Sequence, residues 1–217
     1  MPRQVSDKRT PRLRRYWDKH ARSYDQQMAF WERRLLGDGR QWVCAQASGE
    51  VLEVAIGTGR NLPLYPQDIH LTGVDFSPKM LRLARCRAEE LGRQVDLRLG
   101  DAQALELPDA CFDTVVCSLP LCAIPDQRRA IAEMKRVLRP GGRLLLLDHV
   151  TAVPWAARAV QWLLERITVR LGASTYGAGH CRWSWPRGFQ IERRERFKLG
   201  IVERLAASKP ATPTATC

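Results

Sequence analysis

The residues of this 217-residue chain with the most chemical content begin at "VLEVAIGTG", Val51 to Gly59. An acid, Glu53, stands inside an apolar run, and Gly57 and Gly59 follow it closely. Glycines between a strand and a helix let the backbone approach a ligand and aim N–H groups at it. An acid roughly twenty residues on, at the end of the next strand, suits a grip on two ribose hydroxyls, and Asp75 is so placed. The dinucleotide fingerprint G-x-G-x-x-G fails at Leu62, and the phosphate loop G-x-x-x-x-G-K-[ST] is absent, so pyrophosphate is not the natural ligand. Glu53 agrees with that exclusion, since a carboxylate repels pyrophosphate and attracts an ammonium. A ribose at one end and an amino group at the other describe S-adenosylmethionine.

The elements that must hold these residues alternate along the chain. "VLEVA", "LTGVD" (71–75), "VDLRL" (95–99), "FDTVVCSL" and "RLLLLDHV" read as strands. "SPKMLRLARCRAEELG" reads as a helix with Ser77 as N-cap, Pro78 at its first position and Gly92 as its stop. "DQRRAIAEMKRVLRPGG" is a second helix, closed by Pro140-Gly141. "FQIERRERF" and "KLGIVERLAA" form a closing hairpin. This order predicts an α/β fold: a Rossmann-like, doubly wound, mostly parallel seven-stranded sheet with helices on both faces and an antiparallel closing hairpin. A helix is expected from Tyr16 to Leu36, with Met28, Trp31 and Leu35 on its apolar face, and another from Pro154 to about Leu171. The expected organisation is a basic helical cap over residues 1–49, a cofactor-binding domain over 50–206 with an acceptor-side helix and loop at 153–188, and a disordered tail over 207–217.

Four stretches in order, "LEVAIGTG", "GVDFSPKML", "GDAQALELPDACFDTVVCSLPLCAIPD" and "AEMKRVLRPGGRLLLLDHV", resemble the successive motifs of class I S-adenosylmethionine-dependent methyltransferases. The resemblance is to the type 11 group that includes the ubiquinone/menaquinone C-methyltransferases, and it extends to thiol methyltransferases and bacterial phosphatidylethanolamine N-methyltransferases. It covers about Leu52 to Val150, with weaker echoes at "YWDKHARSYD" and in the closing hairpin. It implies that Gly57 and Gly59 pass the methionine moiety and that Glu53 helps hold its ammonium. Asp75 grips the ribose, Phe76 flanks the adenine, Asp101 accepts from the adenine amino group, and Ala102 offers a backbone N–H. Ser118 and Leu119 face the methyl donor, and Tyr24 joins the cofactor-binding set. Ala55 stands where the family has its first glycine; it fits if the residue keeps strand angles, and little loss is expected on that basis.

Methyl transfer is an in-line displacement at an activated sulfonium, so the protein chiefly orients donor and acceptor. A base is needed only for a nucleophile that arrives protonated. His149, at the carboxyl end of a strand, is the candidate catalytic residue; its alternative is a strand-end histidine bonded to backbone. His180, Tyr16 and Tyr24 are weaker candidates. The fourth strand leads into "SLPLC", not the [DN]-P-P-[YFW] used on planar amino groups. All seven tryptophans lie outside residues 51–150, and this favours a small hydrophobic acceptor: a thiol, a quinol or a phenol. The alternatives are a phospholipid amine methylated at a membrane surface and, from another class, a non-catalytic cofactor-binding or regulatory module.

Charge is uneven along the chain. The net charge is +12, yet residues 51–150 carry 13 basic and 13 acidic side chains, while residues 1–40 carry 11 and 5. Such basic edges suit peripheral contact with an anionic membrane; no nucleic-acid module is readable and no nucleic-acid partner is expected. No window approaches the ~18 apolar residues of a membrane span. "MPRQVSDKRTPRLRRYW" has no apolar signal core; it is Arg-rich like a transit peptide, but Asp7, Pro2 and Pro11 depart from that pattern. The seven cysteines are odd in number and none are spaced C-x-x-C, as for reduced thiols of a cytoplasmic protein. Cys117, Cys122 and a histidine could together form a zinc site, but no metal is expected.

Overall fold

A computed structural model describes residues 9–119, 121–150, 155 and 188–211. Helix α1 runs Arg9–Trp31 and continues through a π-helical turn, Glu32–Leu36, before the short α2, Gly39–Cys44. The helix therefore starts seven residues earlier than Tyr16. Pro11 does not prevent this, because the first helical turn needs no N–H from it. Leu13, Trp17, Ala21 and Tyr24 recur at helical spacing and form the inward stripe; Leu13 and Ala21 are buried.

Strand β1 is Glu50–Val54 and β2 is His70–Asp75. Helix α3, Pro78–Glu90, is capped by Ser77, whose side chain accepts from the Met80 N–H. Strands β3, Asp96–Leu99, and β4, Phe112–Ser118, precede helix α4, Gln127–Val137, capped by Asp126. Strand β5 is Leu138–His149; β6, Gln190–Phe197, and β7, Val202–Ser208, close the sheet. The order is β3-β2-β1-β4-β5-β7-β6, seven strands, with the first five parallel and β7 antiparallel to both neighbours. Strand order reverses between β1 and β4, the place where doubly wound sheets bind ligands. Strands β3 and β6 are the edge strands among the described residues.

The run Leu144–Leu147 explains itself in this sheet. Leu144 and Leu146 enter a core shared with Met134 and Ile131 of α4, while Leu145 and Leu147 enter the opposite core with Val43 of α2 and Leu81 of α3. A strand covered on both faces has no polar side to show.

Two boundaries differ from the expectation. Helix α4 stops at Val137, and Leu138 already pairs with Phe112, so Pro140-Gly141 bends the start of β5 rather than closing the helix. The tail does not begin at 207. Ser208 ends β7, and Lys209 is fastened by its N–H to the Gly142 carbonyl and by Nζ to the carbonyls of Lys135 and Leu138. The acceptor-side helix and loop expected at 153–188 lie outside the described residues, except for Trp155, which is 81% exposed, and Gly188. His180 and the other three late tryptophans lie outside them too. Among the described residues no helix is long and apolar enough to cross a membrane.

Candidate functional site

A pocket opens at the carboxyl ends of β1, β2 and β4, beside the reversal of strand order. Its floor is Ala55, Gly57, Val74, Asp75 and Phe76; one side is Asp101, Ala102 and Gln103; the other is Ser118 and Leu119 with the turn Ala123–Pro125. Helix α1 roofs it with Thr10, Leu13, Trp17 and Tyr24. Nine of the eleven expected cofactor-binding residues thus share one pocket, and Glu53 and Gly59 do not line it.

Asp75 joins the two turns at the floor. It is 5% exposed; Oδ2 accepts the Gly57 N–H at 2.9 Å and Oδ1 the Ser77 N–H at 2.8 Å. Burial nevertheless pushes its carboxyl up to about 6, against the pull of these N–H groups. Gly57 has φ +59° and nothing within 4 Å of where a Cβ would stand, so its backbone is open toward the pocket. Gly59 has another task. A Cβ there would meet Leu62 Cδ1 at 2.8 Å and the Ala84 backbone at 3.3 Å, so glycine lets the turn pack on α3.

Ala55 departs from the expectation. Its φ is +56°, a left-handed conformation, not a strand one. Leu119, across the pocket, has φ +71°. A non-glycine residue there costs roughly 1–2 kcal/mol. Both residues end strands in the pocket wall, where the chain must turn sharply away.

Glu53 lies beneath the floor, 2% exposed. Asn61 Nδ2 donates to Glu53 Oε1 at 2.6 Å and to Ser118 Oγ at 3.2 Å, and Asn61 Oδ1 accepts from Arg40 at 2.8 Å. Glu53 therefore reaches the pocket wall through Asn61 and Ser118. Its Oε2 and the Tyr65 hydroxyl are buried without a well-formed hydrogen bond among the described residues, although the two groups influence each other electrostatically. Burial pushes the Glu53 carboxyl up to about 7, with the Arg40 charge opposing. Sequence reasoning missed Asn61 and Arg40; the polar pair Arg60-Asn61 immediately after the glycines was the available signal for the first.

Asp101 lines the pocket and also braces its own turn, accepting from the Gln103 N–H at 2.9 Å and from the Gln103 side-chain amide. Trp17 corrects the view that the tryptophans stand apart from the cofactor-binding core, since it is part of the roof. Trp42 is a packing residue, with Arg204 4.8 Å over its ring. Burial holds the Tyr24 hydroxyl above its usual range, which removes it from the working range of a base. His149 ends β5 and is not a wall of this pocket; its ring Nδ1 is 3.1 Å from Asp148 Oδ1.

The roof is fastened by three carboxylates spaced seven apart, Asp18, Asp25 and Glu32. Asp18 accepts from Ser77 Oγ at 2.6 Å. Asp25 accepts from Thr58 Oγ1 at 2.6 Å and pairs with Arg87 and Arg60. Glu32 pairs with Arg40 and Arg60. The seven-residue spacing keeps all three near one helix face, and was a legible signal that sequence reasoning passed over. On the outer side of α1, Arg12, Arg15, Lys19 and Arg22 are exposed, as are Lys79, Arg82 and Arg85 of α3, against which α1 packs.

Residues 52–146 match the family described as "Methyltransferase domain". The chain is 39% identical over 163 residues to the phosphatidylethanolamine N-methyltransferase of Cereibacter sphaeroides, covering 74% of each chain. It is 36% identical over 153 residues to the demethylmenaquinone methyltransferase of Deinococcus radiodurans, covering 65% of this chain and 64% of that one. A human thiol S-methyltransferase is 33% identical over 132 residues, 59% of this chain and 54% of that one. The chain thus spans between about half and three quarters of these relatives. A solved SAM-dependent methyltransferase from Methanosarcina mazei superimposes with a TM-score of 0.58 at 20% identity, covering 78% of this chain and 96% of that one, a likeness of fold.

Proposed function

This chain belongs to the class I S-adenosylmethionine-dependent methyltransferases of type 11, and from that premise we propose that it methylates a small hydrophobic acceptor bearing a softly acidic nucleophile: a thiol, a quinol or a phenol. S-adenosylmethionine supplies an electrophilic methyl group on a sulfonium. The pocket fits this donor in atoms that can be named. Each Asp75 oxygen accepts one backbone N–H and keeps a lone pair for a ribose hydroxyl. Gly57 leaves space for the methionine moiety, and the Glu53–Asn61–Ser118 chain offers polar groups toward its ammonium. Phe76, Ala102 and Leu13 give the adenine apolar walls, and Asp101 retains acceptor capacity beside them. Sealing by Trp17 and Tyr24 excludes water from the electrophile.

The observation that carries the acceptor reading is the apolar character of the roof and the Ala123–Pro125 turn, next to Ser118 and Leu119. His149, one strand away from that corner, is the group to take a proton. Relatives named for a thiol and for a demethylmenaquinone support the same class. The test is incubation with methyl-labelled cofactor and a panel of an alkyl thiol, an aryl thiol, a hydroquinone, phosphatidylethanolamine micelles and tRNA. Label in a thiol or hydroquinone is the expected result; label in tRNA alone would overturn it.

A phospholipid amine acceptor is the second reading. It is favoured by the basic outer face of α1, whose inner face roofs the pocket, and by the relative matched over 74% of its length, which is named for such an acceptor. Peripheral contact with an anionic membrane belongs to this reading. Label in phosphatidylethanolamine, enhanced by anionic lipid, would select it.

A further inference from the structure

Ser118 ends β4 in the pocket wall, beside Leu119 and the Ala123–Pro125 turn, and is 8% exposed. The polarity of its hydroxyl is fixed from behind. A guanidinium has donors only, so the atom of Asn61 that faces Arg40 at 2.8 Å is the amide oxygen. The amide nitrogen then faces Glu53 Oε1 at 2.6 Å and Ser118 Oγ at 3.2 Å, and gives one hydrogen to each. Asn61 is buried and Arg40 is braced by Glu32 at 2.6 Å, which keeps this order in place. An amide N–H cannot accept a hydrogen bond. Ser118 Oγ is therefore the acceptor toward Asn61, and its own hydrogen is left over. No acceptor among the described residues receives that hydrogen, and the side on which Ser118 is open is the pocket.

We propose that this hydrogen recognises the methyl acceptor: the Ser118 hydroxyl donates to the sulfur or oxygen that is methylated, and favours it in its ionised form. This rests on the reading of the acceptor as a thiol, a quinol or a phenol. A hydrogen bond to an ionised group is roughly twice as strong as one to its neutral form. Leu119 and Ile124 add apolar surface at the same corner, where a hydrogen bond gains strength from the low local dielectric. The effect is to raise the fraction of acceptor that is ionised at neutral pH. A lipid ammonium has no lone pair to offer this hydrogen, so the same group discriminates against it. The step needs no further reagent. The acceptor's X–H loses its proton to a base or to water, the X–CH3 bond forms from the X lone pair, and the carbon–sulfur bond breaks with its electron pair left on sulfur.

The test uses the full chain saturated with S-adenosylhomocysteine, which prevents turnover, and 4-nitrophenol, whose ionised form absorbs in the visible. Titration gives the ionisation midpoint of the bound phenol. The native protein should lower it by about one to two pH units from its value in free solution, a preference of about 10- to 100-fold for the phenolate. Ser118→Ala should return the midpoint to the free value, and Ser118→Thr, which keeps a hydroxyl, should hold it low. Native protein that leaves the midpoint at the free value would overturn the proposal without any variant, as would equal midpoints in native protein and S118A; both leave the acceptor reading standing. Loss of S-adenosylhomocysteine affinity in S118A with the phenol midpoint unmoved would also overturn it, by assigning the hydrogen to the methionine carboxylate. Failure to bind any phenol or thiol, with methyl label passing only to phosphatidylethanolamine or tRNA, would overturn the acceptor reading and this proposal with it.

Discussion

Asp75 makes the stability of the ligand-free protein depend on pH in an unusual direction. Its carboxyl is held at about 6 in the fold, against 3.8 for the free side chain, because burial outweighs the backbone N–H groups of Ser77, Gly57 and Phe76. The folded state therefore binds this proton more tightly than the unfolded one. The contribution is fully present below about pH 4 and is lost as pH rises through about 6. The span of about two units corresponds to a loss on the order of 3 kcal/mol by pH 7. Glu53, held at about 7, acts in the same direction, and the two repel each other, so their effects do not add. Asp25, Glu32, Asp113, Glu133 and Glu195 are held low and act in the opposite direction at more acid pH. Asp75→Asn keeps all of these and Glu53, so the difference between native protein and variant isolates Asp75 together with its coupling to Glu53. Urea unfolding at pH 4.5, 5.5, 6.5 and 7.5 should show the native protein losing about 2 kcal/mol relative to Asp75→Asn across that range. Binding of a cationic ligand with hydroxyl donors favours both ionised forms, so calorimetry at pH 6 in two buffers of different ionisation enthalpy should register proton release. A pH-independent difference in stability, or equal binding heats in both buffers, would refute the reasoning.

Ala55→Gly should raise stability by ~0.5–1 kcal/mol, because relief of the left-handed conformation exceeds the added chain entropy; an unchanged urea midpoint would contradict it. Asp25→Ala removes the roof's links to Thr58 and Arg87 and should speed dissociation of S-adenosylhomocysteine about 5- to 30-fold, for a loss of ~1–2 kcal/mol, in stopped-flow displacement. An unchanged rate would show that α1 does not hold the ligand in. Reversing charge at Arg12, Arg15, Lys19 and Arg22 should abolish salt-sensitive binding to phosphatidylglycerol vesicles, at about 1 kcal/mol per charge, while leaving cofactor affinity intact. Vesicle sedimentation that is equal for native protein and variant would remove the membrane from the reading.

The sheet was legible because its strands advertise their surroundings. Leu144–Leu147 announced a strand buried on both faces, and Ser77-Pro78 announced the start of α3. The pocket floor was legible because Gly57 and Asp75 do jobs that few residue types can do there. Ala55 was misread because a backbone angle leaves no mark on the residue's type; alanine sits in a left-handed bend when the strands on either side leave no alternative. Asn61 and Arg40 were missed because their role exists only through contacts made in the fold, Asn61 with Glu53 and Ser118, and Arg40 with Asn61 and Glu32. The roof was half seen. The apolar spacing of Met28, Trp31 and Leu35 gave a helix, but not which element it would cover, since that is set by where Ser77, Thr58 and Arg60 come to lie in three dimensions.

The open edges of the sheet carry a consequence for the protein in crowded solution. An unpaired strand is a template on which another chain can add itself. Along β6 five charged residues follow one another, Glu192 to Arg196, and the first three of them are exposed. At the opposite edge, β3 carries the exposed pair Asp96 and Arg98. A strand docking on either edge would have to strip water from these groups, at a cost that backbone pairing does not offset. Among the described residues the sheet has seven strands, and the mixed signs along β6 let Glu195 brace Arg193 and Arg204 within the chain. The deterrent to edge-to-edge pairing is in this way local, set by the charged side chains of the edge strands rather than by the overall positive charge.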